Sequence, residues 1–65
     1  MASPIMLYDQ VVLKHAIPQL ALESGAVGSV VHVHPNAAAY EVEFLRSDGS
    51  TAGVETVLAS DLRPL

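Results

Sequence analysis

Glu23-Ser24-Gly25-Ala26-Val27-Gly28-Ser29-Val30-Val31-His32-Val33-His34 is the stretch that decides the fold. Gly25 and Gly28 read as a tight positive-φ turn, because glycine alone enters that region without a Cβ penalty. From Gly28 onward the residues alternate with period two, the signature of a half-buried strand. Val31 and Val33 fall on one face and are expected inward; Val30, His32 and His34 fall on the other.

The flanking segments extend this pattern. Upstream, Leu7–Lys14 is short and β-branched and is expected as a strand. Pro18 holds Ile17 extended, leaving Gln19–Glu23 room for a single helical turn inside a long first loop. Downstream, Pro35–Ala38 is a turn and Tyr40–Leu45 a strand, with Tyr40, Val42 and Phe44 inward and Glu41 and Glu43 outward. Asp48-Gly49 centres a hairpin turn, and Thr51–Leu58 is a fourth strand that Gly53 interrupts as a bulge. Ala59–Leu62 reads as a 3₁₀ turn, and Arg63-Pro64-Leu65 as a brief edge strand. Short strands with turns every eight to twelve residues predict an all-β chain. The order of elements predicts a small SH3-like five-stranded barrel with a long first loop and a short 3₁₀ turn before the last strand. Residues 1–6 read as a flexible lead-in, with Met6 a candidate native start, and residues 7–65 as one domain.

Composition narrows the function classes. The chain has 65 residues, 51% of them hydrophobic, with no cysteine and only Tyr8, Tyr40 and Phe44 as aromatics. Disulfides, thiolate metal sites and a cysteine nucleophile are excluded, and the core must be aliphatic. A domain this small buries only about 60% of its unfolded surface, so self-association is as natural a reading as a monomer. The net charge is −4, with Lys14, Arg46 and Arg63 the only cations besides histidine. Three scattered cations cannot form the basic patch that phosphate contacts require, so no nucleic-acid partner is expected. No apolar run approaches the length of a membrane span, and the start lacks a basic signal region. A cytoplasmic protein is expected.

Taken together, several elements resemble a known family. Tyr8-Asp9-x-Val11-Val12-Leu13, Ile17-Pro18, Gly25-x-x-Gly28-x-Val30-Val31, Tyr40-Glu41-Val42-Glu43-Phe44 and Leu62-x-Pro64 look like a bacterial domain-of-unknown-function family, domain of unknown function 4926. Its members are small stand-alone proteins, and the resemblance implies an SH3-like barrel and carries over no catalytic residues. Members often hold Gly where this chain has Ala21. The broader likeness is to KOW-type modules that contact ribosomes or polymerase, whose basic character is missing here.

Four sets of residues are candidates for function. His32 and His34 leave one face of a strand, and a hairpin with the next strand would set Glu41 and Glu43 beside them, a donor set suited to Zn²⁺ or Ni²⁺. Without such an ion they are solvated His/Glu pairs, and no cofactor is required. Asp9, Glu23 and Asp61 could offer carboxylates to a basic partner. Tyr8 and Tyr40 resemble groove-lining aromatics, although Tyr40 alternates like core. His15, His32 or His34 with Ser24, Ser29 or Ser60 lacks the concave site that nucleophilic catalysis needs, so no enzyme is expected. The leading expectation is a small acidic protein-interaction module whose partner is another protein, in concrete form an antitoxin or immunity-type protein. The alternatives are a metal- or small-ligand-binding barrel and a KOW-like module.

Overall fold

A computed structural model describes residues 5–65. Its strands are β1 (Gln10–Leu13), β2 (Val27–Val33), β3 (Ala39–Leu45), β4 (Thr51–Leu58) and β5 (Leu62–Pro64), with 3₁₀ turns at Pro18–Leu20, Pro35–Ala37 and Ala59–Asp61. All pairings are antiparallel, in the order β4-β3-β2-β1-β5. The all-β class and the five strands are as the sequence predicts.

Connectivity forces this sheet to roll. β4 and β5 lie at opposite ends of the order, about 19 Å apart in a flat sheet at ~4.8 Å per strand. Only the 3₁₀ turn Ala59–Asp61 joins them, and three such residues rise about 6 Å. The two ends must therefore curl toward each other. The curl encloses one core made of Val11, Leu13, Val30, Tyr40, Val42, Phe44, Val57 and Leu62, with Leu22 added from the first loop. Phe44, Val42, Val30 and Val11 are fully buried, and each such side chain contributes about 1.5–3 kcal/mol. Tyr40, Val42 and Phe44 point inward as expected.

The inward set of β2 differs from the alternation read in the sequence. Val30 is buried, whereas Val31 is exposed. A bulge explains the difference: Val30 pairs with Val42, but His32 pairs with Glu41, so Val31 is an extra residue with no partner of its own. Across the bulge Gly28, Val30 and Val33 all face the core, while His32 keeps the outward position.

Gly28 also differs from expectation, because it lies inside β2 without a positive φ. A Cβ there would stand 2.5 Å from Val42 Cγ1, 2.9 Å from the Glu43 carbonyl oxygen and 3.1 Å from Phe44 Cδ1. Close approach of β2 to β3 is what requires glycine. Gly25 does carry the turn, with φ +92°, and its N–H donates to the Leu13 carbonyl.

β1 is shorter than Leu7–Lys14. Asp9 N–H donates to the Met6 carbonyl, and Met6 N–H donates to Asp9 Oδ2 at 2.9 Å, so Met6–Asp9 is a turn with Tyr8 at φ +69°. Of the expected lead-in, residues 1–4 lie outside the described residues, while Ile5 packs on the core. In the first loop the expected turn begins one residue early, at Pro18, and ends at Ala21 in the left-handed region with φ 56° and ψ 33°. Ile17 and Leu22 then pair through reciprocal backbone bonds of 2.8 and 3.2 Å, which drops Leu22 onto the core. At the β3–β4 hairpin, Asp48 Oδ1 accepts from the Ser50 N–H and hydroxyl, and these bonds lower the Asp48 pKa. Gly49 takes φ +88°.

Candidate functional site

β2 and β3 together build the polar cluster on the outer face. Glu41 sits on β3 between two strands, opposite His32 of β2 and Thr56 of β4. His34 follows β2 directly and leaves the same face as His32; their rings meet edge to face with centroids 5.4 Å apart. Two hydrogen bonds end on a single oxygen, Glu41 Oε2: His34 Nε2 at 2.6 Å and the Thr56 hydroxyl at 2.6 Å. The Thr56 bond, then the His34 bond, hold the Glu41 pKa below its ordinary value, with weaker help from the positive potential of His34 and His32. At neutral pH the carboxylate is therefore ionised and accepts only. It follows that His34 carries a proton on Nε2, which leaves Nδ1 as the nitrogen able to accept a bond or ligate in the neutral ring.

The sequence anticipates three members of this cluster and misses one. His32, His34 and Glu41 come together as expected. Glu43 shares their face but lies two residues along β3, opposite Ser29 and Val54, about 7 Å from the position of Glu41. Among the described residues, no group of three or more His, Cys, Asp or Glu side chains is arranged to hold a metal ion. Thr56 is the member not anticipated. The turn chemistry alone does not find it: the loop is Ser47–Gly49, closed by the Arg46 N–H on the Ser50 carbonyl, and an extra residue at Ala52 then sets Thr56 opposite Glu41.

The remaining candidates are dispersed. Asp9 precedes β1 and Asp61 lies beside Lys14, which follows it, as the Lys14 N–H donates to the Asp61 carbonyl at 2.7 Å. Asp9 is thus about 17 Å of strand from Lys14 and stands apart from Asp61, while Glu23 adjoins Ser24, whose hydroxyl donates to the Lys14 carbonyl on the Asp61 side. The Asp9 carboxylate is also occupied as the cap of the Met6–Asp9 turn. Tyr8 is exposed but Tyr40 is buried in the core, so the two tyrosines do not line a groove. Arg46, one of three Lys/Arg residues, is tied to the hairpin by a 2.7 Å bond from Nη1 to the Thr51 carbonyl.

Two features of the surface stand apart from this cluster. An open cleft of about 1140 Å³ runs between the first loop, including Leu20, Leu22 and Ser24, and the base of the β3–β4 hairpin at Leu45 and Arg46. It excludes His32, His34 and Glu41. The second feature is the contrast between the two edges of the sheet. β5 is three residues long and carries Arg63 and Pro64, features that discourage pairing with another chain. β4 is eight residues long, with no Lys, Arg or Pro, and exposes Val54 and Leu58.

No helix among the described residues is long and apolar enough to cross a membrane. The family model described as Domain of unknown function (DUF4926) matches residues 7–64. No curated protein and no solved structure matches the chain. With the match running from the first turn through β5, the chain belongs to the DUF4926 family.

Proposed function

We propose that this chain is a small, acidic, non-enzymatic interaction module on an SH3-like barrel, and that it binds another protein by adding a strand to the open edge of β4. The observation that supports this most is the unequal treatment of the two edges. Natural sheets blunt their edges with short strands, proline, lysine or inward charge. β5 follows that rule throughout; β4 is longer and has no Lys, Arg or Pro, its edge being interrupted only near its start by a bulge at Ala52 and, on the core side, by Glu55 opposite Val42. An extended segment laid along such an edge gains main-chain hydrogen bonds, and side-chain contacts select the sequence. In its most concrete form the module is an antitoxin or immunity-type protein whose partner is encoded beside it in the cytoplasm. The charge of −4 suits a basic partner and disfavours a nucleic-acid one.

The test is capture from native lysate with wild-type and Val54→Lys protein as paired baits. The proposal expects a reproducible partner on the wild type that the edge lysine removes. Equal capture by both baits, or none by either, contradicts it.

A second reading is a metal- or small-ligand site at His34, whose Nδ1 is left free by the Nε2 bond to Glu41. Ligation by His34 through Nε2 would require its bond to Glu41 to open, so the test is calorimetric titration with Zn²⁺ against a His32→Ala control. Heat in the wild type alone supports this reading.

A further inference from the structure

We propose that in the free protein the open β4 edge is paired with a second copy of the same chain, antiparallel across a two-fold axis through Thr56. This rests on the proposal that β4 is a pairing-competent edge, and it names that edge's first occupant.

Backbone polarity decides which residues can take part. Ala59 N–H donates to the Ala38 carbonyl at 3.1 Å, directly continuing the β3–β4 register. In an antiparallel ladder, hydrogen-bonded and non-hydrogen-bonded pairs alternate. Val57 and Glu55 therefore turn their N–H and C=O groups to β3. Val54, Thr56 and Leu58 turn theirs to the free edge. The side chains of these three also share the outer face, as the Thr56 bond to Glu41 shows, with Val54 48% and Leu58 58% exposed.

A two-fold antiparallel pairing must match outward groups with outward groups, which leaves few registers. An axis through Glu55 sets the two Glu55 residues directly opposite, a destabilising like-charge pair. An axis through Val54 leaves Leu58 beyond the strand of the second copy. An axis through Thr56 pairs Val54 with the second copy's Leu58 in both directions and Thr56 with itself, and sets each Glu55 against a Val57. Both exposed apolar side chains of the edge then meet a cross-strand apolar neighbour, and the carboxylates are staggered. The isologous contact closes on itself, removing the edge that would otherwise invite open-ended association.

The chain has no cysteine, so a single introduced thiol reads the register directly. Directly opposed residues of a hydrogen-bonded pair have Cα atoms about 5.5 Å apart, within disulfide reach. Sedimentation of the wild type across a concentration series is expected to show a species of twice the 6.8 kDa chain mass that Val54→Lys abolishes while its circular dichroism is unchanged. Under mild oxidation Thr56→Cys is expected to cross-link at least tenfold faster than Val54→Cys or Glu55→Cys. A wild type that stays monomeric at every concentration, or equal cross-linking of the three variants, overturns the proposal. A monomeric wild type whose heterologous partner is still lost in Val54→Lys overturns the second copy alone and leaves the edge as the binding site.

Discussion

Replacing Gly28 with alanine tests how closely β2 and β3 must approach. The added methyl would meet Val42 Cγ1 at 2.5 Å, Phe44 Cδ1 at 3.1 Å and the Glu43 carbonyl oxygen at 2.9 Å. Val42 and Phe44 are fully buried, so neither can swing into solvent, and the third contact is main chain. Overpacking a core costs about 1–3 kcal/mol, and with a backbone atom among the clashes about 3 kcal/mol is expected. A 65-residue domain holds about 3–10 kcal/mol in total, so the loss is about 30% or more of its stability. At about 4–8 °C per kcal/mol for a domain of this size, the melting temperature falls by about 12–24 °C. Urea denaturation followed by circular dichroism reads the change, with Gly25→Ala as the comparison. Gly25 has open space around it, so alanine there costs only its left-handed strain, about 1–2 kcal/mol. The Val42→Ala background sharpens the test: the cavity it opens admits the new methyl, and the double variant should lose at least 0.5 kcal/mol less than the sum. A Gly28→Ala variant no less stable than Gly25→Ala, with no coupling to Val42, refutes the reasoning.

Ala21→Gly should stabilise the chain. Relief of the left-handed strain at φ 56°, about 1–2 kcal/mol, exceeds the added freedom of the unfolded glycine, about 0.4–1 kcal/mol; a urea midpoint at or below wild type contradicts this. The lowered Glu41 pKa predicts a pH dependence. A depressed folded value means the contribution is complete above the unfolded pKa and is lost as pH falls through the folded one. Thr56→Val removes the first cause of that depression, so the Glu41 carboxyl should titrate at higher pH by NMR, and the acid limb of stability should flatten. An unmoved titration excludes the Thr56 bond as the cause.

Much of the fold was legible because local chemistry and tertiary demand agree. Tyr40, Val42 and Phe44 alternate with Glu41 and Glu43 and sit where that alternation puts them, and Asp48-Gly49 turns the hairpin. The inward set of β2 was not legible. Val30-Val31-His32-Val33 offers no composition cue for an extra residue, and the Val31 bulge is set by the fit of β2 to β3. Gly28 shows a related ambiguity, since a glycine needed for space and one needed for a positive φ look alike in a sequence. Ala21 conceals a left-handed position behind a residue that seldom adopts one. The outer cluster was partly legible: a bulge before His32 leaves His32 and His34 on one face whichever valine turns inward. Thr56 belongs to a different hairpin from the histidines, so only the combined register of three strands brings it together with them around Glu41.

Amide exchange along β4 tests the open edge most directly. In dilute protein, the outward N–H groups of Val54, Thr56 and Leu58 should exchange near open-chain rates, while those of Glu55 and Val57 are slowed by the ladder to β3. When a strand is added to the edge, by raising the concentration or supplying the partner, the three outward amides should slow by at least tenfold together. Outward amides as protected in dilute protein as Glu55 and Val57, or unprotected under every condition, would contradict the account.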